Sequence, residues 1–323
     1  MSLESLDDVD VEYTDGEGED PDAYPTLQSK IEKAADVTRT ALETYENPAV
    51  MWTGGKDSTL VLYFITEVAS EFGLETPPAI FIDHFQHFDA SIDFVERWAE
   101  KWDIDVQYAR NEDVGSYVAE HDLEPGDDIP VDALSEHNQH HIRNILEYEE
   151  ETFPFLLDTY VGNHLLKTVA LNDALEANGI DGVISGVRWD EQEARADETF
   201  FSPRHDPDIY PPHDRVHPIL QFTERDVWDA FWQFVVPDTV PAFPDDGYVP
   251  ESTDDLPEGV EWREIPISPK YVAGFRSLGS EVSTERSANE PAWLQNLEET
   301  TERAGRAQDK EDLMERLRDL GYM

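Results

Sequence analysis

A short strand, a glycine-containing turn and a helix follow one another between residues 48 and 73, and this succession constrains the fold more strongly than any other stretch. Residues 48–52 read PAVMW, an apolar run with the length of a buried strand. The turn TGGKDS occupies 53–58, and apolar residues then recur at helical spacing until Gly73, a residue typical of helix ends. The turn is therefore predicted to lie at the N-terminus of a helix.

A turn of this composition at a helix N-terminus favours an anion. The first N–H groups of a helix have no intrahelical partner and lie at the positive end of its dipole, and Gly54 and Gly55 let a phosphate approach the backbone closely. Lys56 adds a positive charge. Hydroxyl groups on both sides of the lysine can donate hydrogen bonds to phosphate oxygens, namely those of Thr53, Ser58 and Thr59. We therefore predict a phosphate-binding turn.

Asp57 in the same turn has two candidate roles. It could orient the ammonium group of Lys56, or it could help to hold Mg²⁺ beside the phosphates. The turn is not a Walker P-loop, because the two glycines of GxxxxGK[ST] are separated by a spacer, whereas Gly54 and Gly55 are adjacent. A glycine-rich turn that only caps a helix is the structural alternative.

Strands and helices continue to alternate after this turn. Residues 78–83 form an apolar strand that ends in a carboxylate, a helical stretch extends to Trp102, and a third strand is predicted at 106–108. The alternation predicts the α/β class, with an open, mostly parallel sheet and helices on both faces. Ligands of such sheets bind beyond the carboxyl ends of the strands, so Asp83 is a candidate nucleotide ligand on the same rim as the turn. As a helix N-cap, Asp83 would have a purely structural role.

Two arginines follow a further buried strand at 182–186. Arg188 and Arg195 are seven residues apart, so a helix would present both on one face. A planar guanidinium matches phosphate or sulfate oxygens, which predicts an anion at this place. The alternative is pairing with nearby acidic residues of the same helix, which contributes about 0.2–0.5 kcal/mol for each pair.

The charge of the chain limits its partners. It has 73 acidic and 23 basic residues and a formal net charge of −50. Such a chain repels itself in dilute buffer, whereas strong salt screens the repulsion, so we expect a halophilic, cytoplasmic protein. Strong non-specific nucleic-acid binding is not expected, because no basic run is available to release counterions. No stretch approaches 18 apolar residues, so no membrane association is expected.

Cysteine and histidine usage argues against thiolate and metal chemistry. The absence of cysteine excludes disulfides, iron–sulfur clusters and a cysteine nucleophile or persulfide carrier on this chain. His137 and His141 could share a helix face as metal ligands do, but no HExxH motif or third ligand accompanies them. A solvated or partner-facing helix is the preferred interpretation, and the same caution applies to His84 and His87.

Composition also suggests three segments. Residues 1–25 are acidic with few apolar residues, which predicts a disordered tail or an acidic arm that docks elsewhere. Residues 26–240 would form an ATP-binding α/β domain. Several prolines after residue 236 then mark the start of an irregular or helical C-terminal extension at 241–323, which is predicted to end in a charged helix at 310–320.

Several motifs together carry a resemblance to known families. TGGKDS at 53–58 resembles the SGGKDS pyrophosphate loop of the ATP pyrophosphatase (PP-loop) superfamily, with the fold of adenine nucleotide alpha hydrolases. GVRWDE at 186–191 with Arg195 resembles the GxRRDExxSRA segment of the phosphoadenosine phosphosulfate reductase family, although Trp189 replaces the second arginine. Residues 216–228 are similar to that family's VFPLxxWTExDVW stretch. FRSLG at 275–279, RAGR at 303–306 and LGY at 320–322 look like the end of the sulfate adenylyltransferase small subunit, which the reductases lack.

This resemblance implies an adenylyltransferase that uses ATP and Mg²⁺. Sulfate would attack the α-phosphate to give adenylyl sulfate and pyrophosphate, and a GTPase large subunit would drive this uphill step. Lys56, Arg188 and Arg195 would be catalytic, with the arginines at the α-phosphate or the incoming anion. The nucleotide would contact the turn, namely Thr53, Gly54, Gly55, Lys56, Asp57 and Ser58, and also Asp83 and Gly186. Asp57 would in addition hold the metal ion.

Two alternative functions stay open. ATP could activate a nucleic-acid oxygen for sulfur insertion, as in tRNA thiolation or DNA phosphorothioation, and a separate desulfurase would then have to carry the sulfur because this chain has no cysteine. The chain could also be a non-catalytic nucleotide-binding regulator. Reduction of phosphoadenylyl sulfate through a covalent thiosulfonate is excluded for the same lack of a cysteine. Assembly into a homo-oligomer is compatible with each function.

Overall fold

The computed structural model describes residues 10–192, 195–207, 210–298 and 302. Its strands are β1 Pro48–Met51, β2 Ala79–Ile82, β3 Val106–Ala109, β4 Asp128–Pro130, β5 Thr152–Pro154, β6 Gly182–Ile184, β7 Phe201–Arg204 and β8 His213–Val216. Its α-helices are α1 Leu27–Thr44, α2 Lys56–Phe72, α3 Asp89–Trp102, α4 Glu112–His121, α5 Glu136–His140, α6 Tyr160–Asn163, α7 Ala170–Asn178, α8 Glu224–Ala230, α9 Val236–Thr239 and α10 Pro269–Val272. Short 3₁₀ turns lie at Pro21–Ala23, Val131–Ala133, Trp262–Glu264 and Ala292–Leu294.

Three helices continue through π-helical turns. His141–Ile145 extends α5, His164–Val169 joins α6 to α7, and Phe231–Val235 joins α8 to α9. Local signals in the sequence explain where several helices begin and end. Gly73 and Gly179 adopt left-handed conformations after α2 and α7, and Thr223 with Asp226 forms a capping box at the start of α8.

Six strands form one sheet in the order β3-β2-β1-β6-β8-β7. All neighbours are parallel except the pair of β7 and β8, which is antiparallel. The direction in which the chain adds strands reverses between β1 and β6, and open α/β sheets bind ligands at such a switch point. β4 and β5 form a separate two-stranded antiparallel sheet. The predicted fold class, an open and mostly parallel α/β sheet, is confirmed.

Helices cover both faces of this sheet. Ala49 and Val183 belong to an apolar cluster with Leu175 of α7, whereas Val50 and Ile184 belong to the large cluster that includes α1, α2 and α8. Successive strand residues point to opposite faces, so this alternation follows directly from the strand period of two. No helix in the described part of the chain is both long and apolar enough to cross a membrane.

The segment after residue 240 packs into the same large apolar cluster. Trp293 lies 4.9 Å from Trp232 and Tyr271 lies 5.3 Å from Trp228, measured between ring centroids. Aromatic contacts of this kind bury large apolar areas, so the segment is held firmly against α8 and the π-helical turn that follows it. The predicted charged helix at 310–320 lies outside the described residues.

The acidic N-terminal segment is folded against the sheet over its described part. The hydroxyl of Tyr13 donates to Asp214 at 2.9 Å, and the carboxylate of Asp15 pairs with Lys33 at 2.6 Å. Hydrogen bonds and ion pairs of this kind join residues 10–25 to the domain, and the choice between a disordered tail and a docked acidic arm for residues 1–25 stays a prediction. The three-segment division itself stays a prediction.

Candidate active site

The turn at 53–58 connects β1 to α2 and has the backbone shape of an anion-binding loop. Gly54 adopts φ = 72°, in the left-handed region that favours glycine, and Gly55 is the N-cap of α2. The hydroxyl oxygen of Ser58 accepts a hydrogen bond from the backbone N–H of Thr53 at 3.2 Å. Both hydroxyl side chains line a cavity beside the turn. The predicted position of the turn at a helix N-terminus is thus confirmed.

Gly186 brings the end of β6 against the start of α2. A Cβ at this position would lie 2.8 Å from the carbonyl carbon of Asp57 and 2.9 Å from the amide nitrogen of Ser58, both backbone atoms. Such contacts cannot be relieved by moving a side chain, so the close approach requires glycine. Gly186 also lines the cavity, as expected for a residue of the nucleotide site.

The cavity has a volume of about 360 Å³ and lies along the carboxyl ends of β2, β1, β6 and β8. We distinguish two charged regions in it. The turn region consists of residues 53–58 with the buried groups beneath them. The arginine region consists of Ser185, Glu191, Arg195, Glu198, Arg215 and His217, with Arg204 behind them. A third, more apolar part includes Ile82, His84 and Leu171.

Lys56 and Arg188 are buried beneath the turn. The ammonium of Lys56 lies 3.0 Å from Asp57 and 2.5 Å from Glu302, and its side chain is 1% exposed. Arg188 donates to Asp57, to Asp190 at 2.9 Å and to Glu302 at 2.7 Å, and its side chain is also 1% exposed. Neither cation lines the cavity, whereas Asp57 and Glu302 do.

This buried network extends to a further ion pair. Glu224 accepts two hydrogen bonds from Arg276, at 2.9 and 2.7 Å, and its backbone N–H donates to Asp190 at 2.7 Å. The network therefore contains three cations and four carboxylates. The cations are Lys56, Arg188 and Arg276, and the carboxylates are Asp57, Asp190, Glu224 and Glu302. Burial alone would raise the pKa of Glu302, but Lys56 and Arg188 outweigh it and hold that pKa well below its ordinary value.

The arginine region is built from three different elements. Arg195 follows the loop after β6 and lies 3.2 Å from the carboxylate of Glu191, while Arg215 belongs to β8. Arg204 of β7 lies 3.4 Å from Glu198. Burial would raise the pKa of Glu198, but a hydrogen bond with His217 and the charges of Arg204 and Arg215 keep it far below its usual range.

His217 connects this region to β6. Its Nδ1 lies 3.0 Å from the hydroxyl oxygen of Ser185, and its Nε2 lies 3.7 Å from Glu198. Burial lowers the pKa of His217 below its ordinary value, although the nearby Glu198 opposes the shift. The imidazole is therefore neutral at pH values around 7.

The helix predicted to carry both Arg188 and Arg195 is not present. The described residues between them form turns, so the two arginines do not share a helix face. Arg188 is turned into the buried network, whereas Arg195 lines the cavity. The prediction fails because Asp190 accepts from Arg188 two residues earlier and from the backbone N–H of Glu224 at the start of α8, a local and a tertiary bond that the non-helical segment allows.

Asp83 does not line the cavity. Its carboxylate pairs with Arg110 at 2.9 Å and accepts the backbone N–H of Phe85 at 3.0 Å. The N-cap of α3 is Phe88, so the alternative role predicted for Asp83 is wrong. His84 and His87 line the cavity in its place, with their rings stacked at 3.6 Å.

The histidines at 137 and 141 make separate contacts. His137 lies 3.3 Å from Asp173, and Nδ1 of His141 lies 3.0 Å from Nε2 of His164. Among the described residues, no three His, Cys, Asp or Glu side chains are grouped so as to hold a metal ion. A solvated helix remains the interpretation of the sequence.

Sequence reasoning missed four residues of the site. Tyr271, whose hydroxyl accepts the backbone N–H of Lys56 at 3.0 Å, lies far away in sequence, as does Glu302. A sequence signal for Glu302 is its position directly before RAGR at 303–306, a stretch that looks like the end of the sulfate adenylyltransferase small subunit. Arg215 and His217 follow a Pro- and Asp-rich stretch at 203–214 and belong to no anion-binding motif, so no local signal indicated their role.

Comparison with protein families matches the central part of the chain. A sequence model described as "Phosphoadenosine phosphosulfate reductase domain" matches residues 47–127 and 134–239, more than half of the chain. The match includes the turn, the loop after β6 and the start of α8.

Individual relatives agree with this match. Sulfate adenylyltransferase subunit 2 of Rhizobium meliloti is 25% identical over 243 residues, which cover 69% of this chain and 68% of the relative. The protein of the same name from Brucella anthropi is 25% identical over 334 residues, which cover 92% of this chain and 96% of the relative. Among solved structures, FMN adenylyltransferase of Candida glabrata superimposes with a TM-score of 0.51 at 14% identity, over 90% of this chain and 94% of that one. The structural likeness shows the fold alone.

Proposed function

The chain belongs to the phosphoadenosine phosphosulfate reductase domain family, within the PP-loop ATP pyrophosphatase and adenylyltransferase superfamily, and from that membership we propose that it transfers the adenylyl group of ATP to sulfate. The observation that carries the proposal is the single cavity in which a glycine turn and a cluster of arginines meet. The glycine turn would bind the polyphosphate of ATP, and the arginines would attract an anionic acceptor.

The proposed reaction needs no protein nucleophile. A sulfate oxygen attacks the α-phosphorus of ATP, the bond between that phosphorus and the bridging oxygen to the β-phosphate breaks, and pyrophosphate leaves. Catalysis of this kind depends on positioning and on neutralisation of charge. The backbone and the hydroxyls of Thr53 and Ser58 would hold the leaving phosphates, and Lys56 would stabilise their charge.

The carboxylate of Asp57 is suited to bind Mg²⁺ in this arrangement. Asp57 lines the cavity, and although each of its carboxylate oxygens already accepts from a cation, each retains a further lone pair. Mg²⁺ commonly binds one or two protein carboxylates together with substrate phosphates. Asp57 would therefore hold it beside the β- and γ-phosphates, where the ion neutralises developing negative charge.

The adenosine would occupy the apolar part of the cavity. Ile82 and Leu171 provide apolar surface there, and His84 and His87 add stacked rings at the end of β2. This assignment replaces Asp83 as the predicted contact to the nucleoside. It agrees with the general position of ligands at the carboxyl ends of parallel strands.

A second subunit is part of the proposal. The relatives are named subunit 2, which implies that they assemble with another subunit. A GTPase large subunit would couple GTP hydrolysis to the uphill formation of adenylyl sulfate.

The test measures pyrophosphate release by the purified chain, alone and with such a GTPase partner, in molar salt. We expect release from ATP only when sulfate is added, with one adenylyl sulfate formed per pyrophosphate. Pyrophosphate release that is independent of sulfate would refute sulfate as the acceptor. ATP binding without pyrophosphate release for any acceptor would instead support a regulator.

A further inference from the structure

Glu302 lies between two buried cations and the cavity. Its carboxylate accepts hydrogen bonds from the ammonium of Lys56 at 2.5 Å and from the guanidinium of Arg188 at 2.7 Å. Glu302 lines the cavity beside the turn, whereas the side chains of Lys56 and Arg188 are only 1% exposed and lie behind it. An anion that enters the cavity therefore meets the carboxylate of Glu302 before it meets the two cations.

The carboxylate of Glu302 and a phosphate group exclude each other at this place. A carboxylate in two charge-assisted hydrogen bonds resembles a pair of phosphate oxygens in charge and geometry. A phosphate that entered the turn without displacing Glu302 would lie beside two carboxylates, those of Glu302 and Asp57, and like charges repel strongly where water is excluded. Only one of the two anions can therefore hold Lys56 and Arg188 at a time.

The cations keep other partners when Glu302 leaves. Lys56 retains Asp57 at 3.0 Å, and Arg188 retains both Asp57 and Asp190. Release breaks two charge-assisted bonds, but it also returns a buried carboxylate to water, and the two contributions offset each other. The bonded and the released forms of Glu302 can therefore be close in free energy.

The segment that precedes Glu302 is fastened to the domain by other bonds. Arg276 donates to the carbonyl of Leu297 at 2.9 Å, and the side chain of Gln295 donates to the carbonyl of Gly274 at 3.1 Å. The indole N–H of Trp293 donates to the carbonyl of Pro250 at 2.8 Å. Because these bonds do not involve Glu302, its carboxylate can leave the cations while the residues up to 297 stay docked.

We infer that Glu302 is an internal competitor of ATP, whose phosphates displace its carboxylate from Lys56 and Arg188 when they bind at the turn. The inference rests on the proposed function, because it requires ATP to bind at the turn. The coupling is reciprocal: ATP releases Glu302, and a contact that keeps Glu302 away from the two cations raises the affinity for ATP by the same factor. Glu302 is thus a regulatory contact of the nucleotide site.

The test compares the wild type with Glu302→Gln, which removes the charge and keeps the shape. Binding of an ATP analogue with a methylene group between the α- and β-phosphates is measured by titration calorimetry on the full chain, without sulfate and in molar sodium chloride. The apparent affinity is lowered by the fraction of molecules whose cations are free, so loss of the competing charge should tighten binding about threefold or more. Unchanged or weaker binding by Glu302→Gln would overturn the inference.

The matched control is Glu298→Gln. It removes the same charge from an exposed position four residues earlier, and it should leave the affinity unchanged because strong salt screens a distant charge. Inorganic tripolyphosphate, which has the phosphates without the nucleoside, should also bind Glu302→Gln more tightly than the wild type. Tightening for the ATP analogue alone would contradict competition with the phosphates.

A titration with EDTA in place of Mg²⁺ separates competition from metal binding. Competition for the two cations predicts that Glu302→Gln tightens binding with and without the metal ion. If Glu302 instead held Mg²⁺ together with Asp57, Glu302→Gln would weaken binding in Mg²⁺ and match the wild type in EDTA. That result would overturn the inference.

A second variant is available if Glu302→Gln does not fold. Glu302→Asp keeps the charge but is one methylene group shorter, so it cannot maintain both bonds at their present lengths, and it should tighten binding in the same direction. Equal or weaker binding by this variant would again overturn the inference. Because tripolyphosphate binds without adenylyl transfer, failure of the proposed reaction remains distinguishable from failure of this competition.

Discussion

The turn region and the arginine region lie in one cavity, but their charged side chains differ in burial and in their position relative to the cavity. Beneath the turn, Lys56, Arg188 and Arg276 are almost completely buried and are neutralised by four carboxylates, of which Asp57 and Asp190 are partly exposed. In the arginine region, Arg195 pairs with Glu191 and Arg204 pairs with Glu198, on which the charge of Arg215 also acts. The turn region holds its cations away from the cavity, whereas Arg195 and Arg215 of the arginine region line it.

This difference separates two uses of an arginine that look identical in sequence. A buried arginine in a full set of ion pairs maintains the structure, because removing it leaves several carboxylates without a partner. An arginine that lines a cavity beside like charges gains from an anionic ligand. Arg188 is an example of the first use and Arg215 of the second.

The largest effect is expected for Arg188→Ala. Asp57, Asp190 and Glu302 would then lose a buried cationic partner, which should lower the free energy of unfolding by about 3–5 kcal/mol. Arg215→Gln should lower it less, because its replacement also relieves the repulsion from Arg204 and Arg195. Guanidinium denaturation of both variants measures the contrast, and equal losses would remove the distinction between the two regions.

Lys56→Met should abolish most of the activity with less loss of stability. The ammonium is expected to leave Glu302 for the phosphates during the reaction, so its removal should reduce the rate of pyrophosphate release about 10²–10³-fold. Rates are measured at saturating ATP and sulfate, and circular dichroism checks the fold. A variant that is folded and retains more than about a tenth of the wild-type rate would place the phosphates elsewhere.

Acid should act first on a buried histidine next to the arginine region and only later on Glu302 of the turn region. Burial and the nearby Arg215 and Arg204 lower the pKa of His213 on β8 from 6.5 to about 3, so its stabilising contribution is complete above pH 6.5 and declines as the pH falls toward 3. The pKa of Glu302 is lowered from 4.5, so its contribution is complete above that value and declines only below it.

Denaturation at pH 7, 6 and 5 tests this order. Between pH 6 and 5 the loss of stability should be smaller in His213→Asn than in the wild type by about 1.4 kcal/mol per pH unit at most, the slope for one proton. Glu302→Gln should follow the wild-type slope over this interval. A reduced slope in Glu302→Gln with none in His213→Asn would reverse the order in which the two groups titrate.

Local sequence signals were sufficient for the fold and for the turn. The apolar run before Thr53, the glycines and the helical spacing after Lys56 are all contiguous, so the strand, turn and helix could be predicted together. The capping box at Thr223 and the left-handed Gly179 are local in the same sense.

The partners of the charged residues could not be predicted in this way. Arg188 donates to Glu302 across 114 positions, and the backbone N–H of Lys56 donates to the hydroxyl oxygen of Tyr271 across 215. The spacing of Arg188 and Arg195 predicted a shared helix face, but a local and a tertiary contact of Asp190 determine the actual loop. In so acidic a chain, which carboxylate meets which cation depends on the three-dimensional arrangement of strand ends.

The smallest effect is expected for Asp83→Asn, and it tests where the cavity ends. Asp83 pairs with Arg110, whose side chain is 35% exposed, and such a pair contributes about 1 kcal/mol or less to stability. Because Asp83 does not line the cavity, the KM for ATP should change by less than about twofold, whereas His84→Asn, at a lining position, should raise it more. Pyrophosphate release over a range of ATP concentrations gives both values. If Asp83→Asn raised the KM while His84→Asn left it unchanged, the nucleoside would lie at the β2–β3 edge of the sheet, further from the arginine region than the cavity extends.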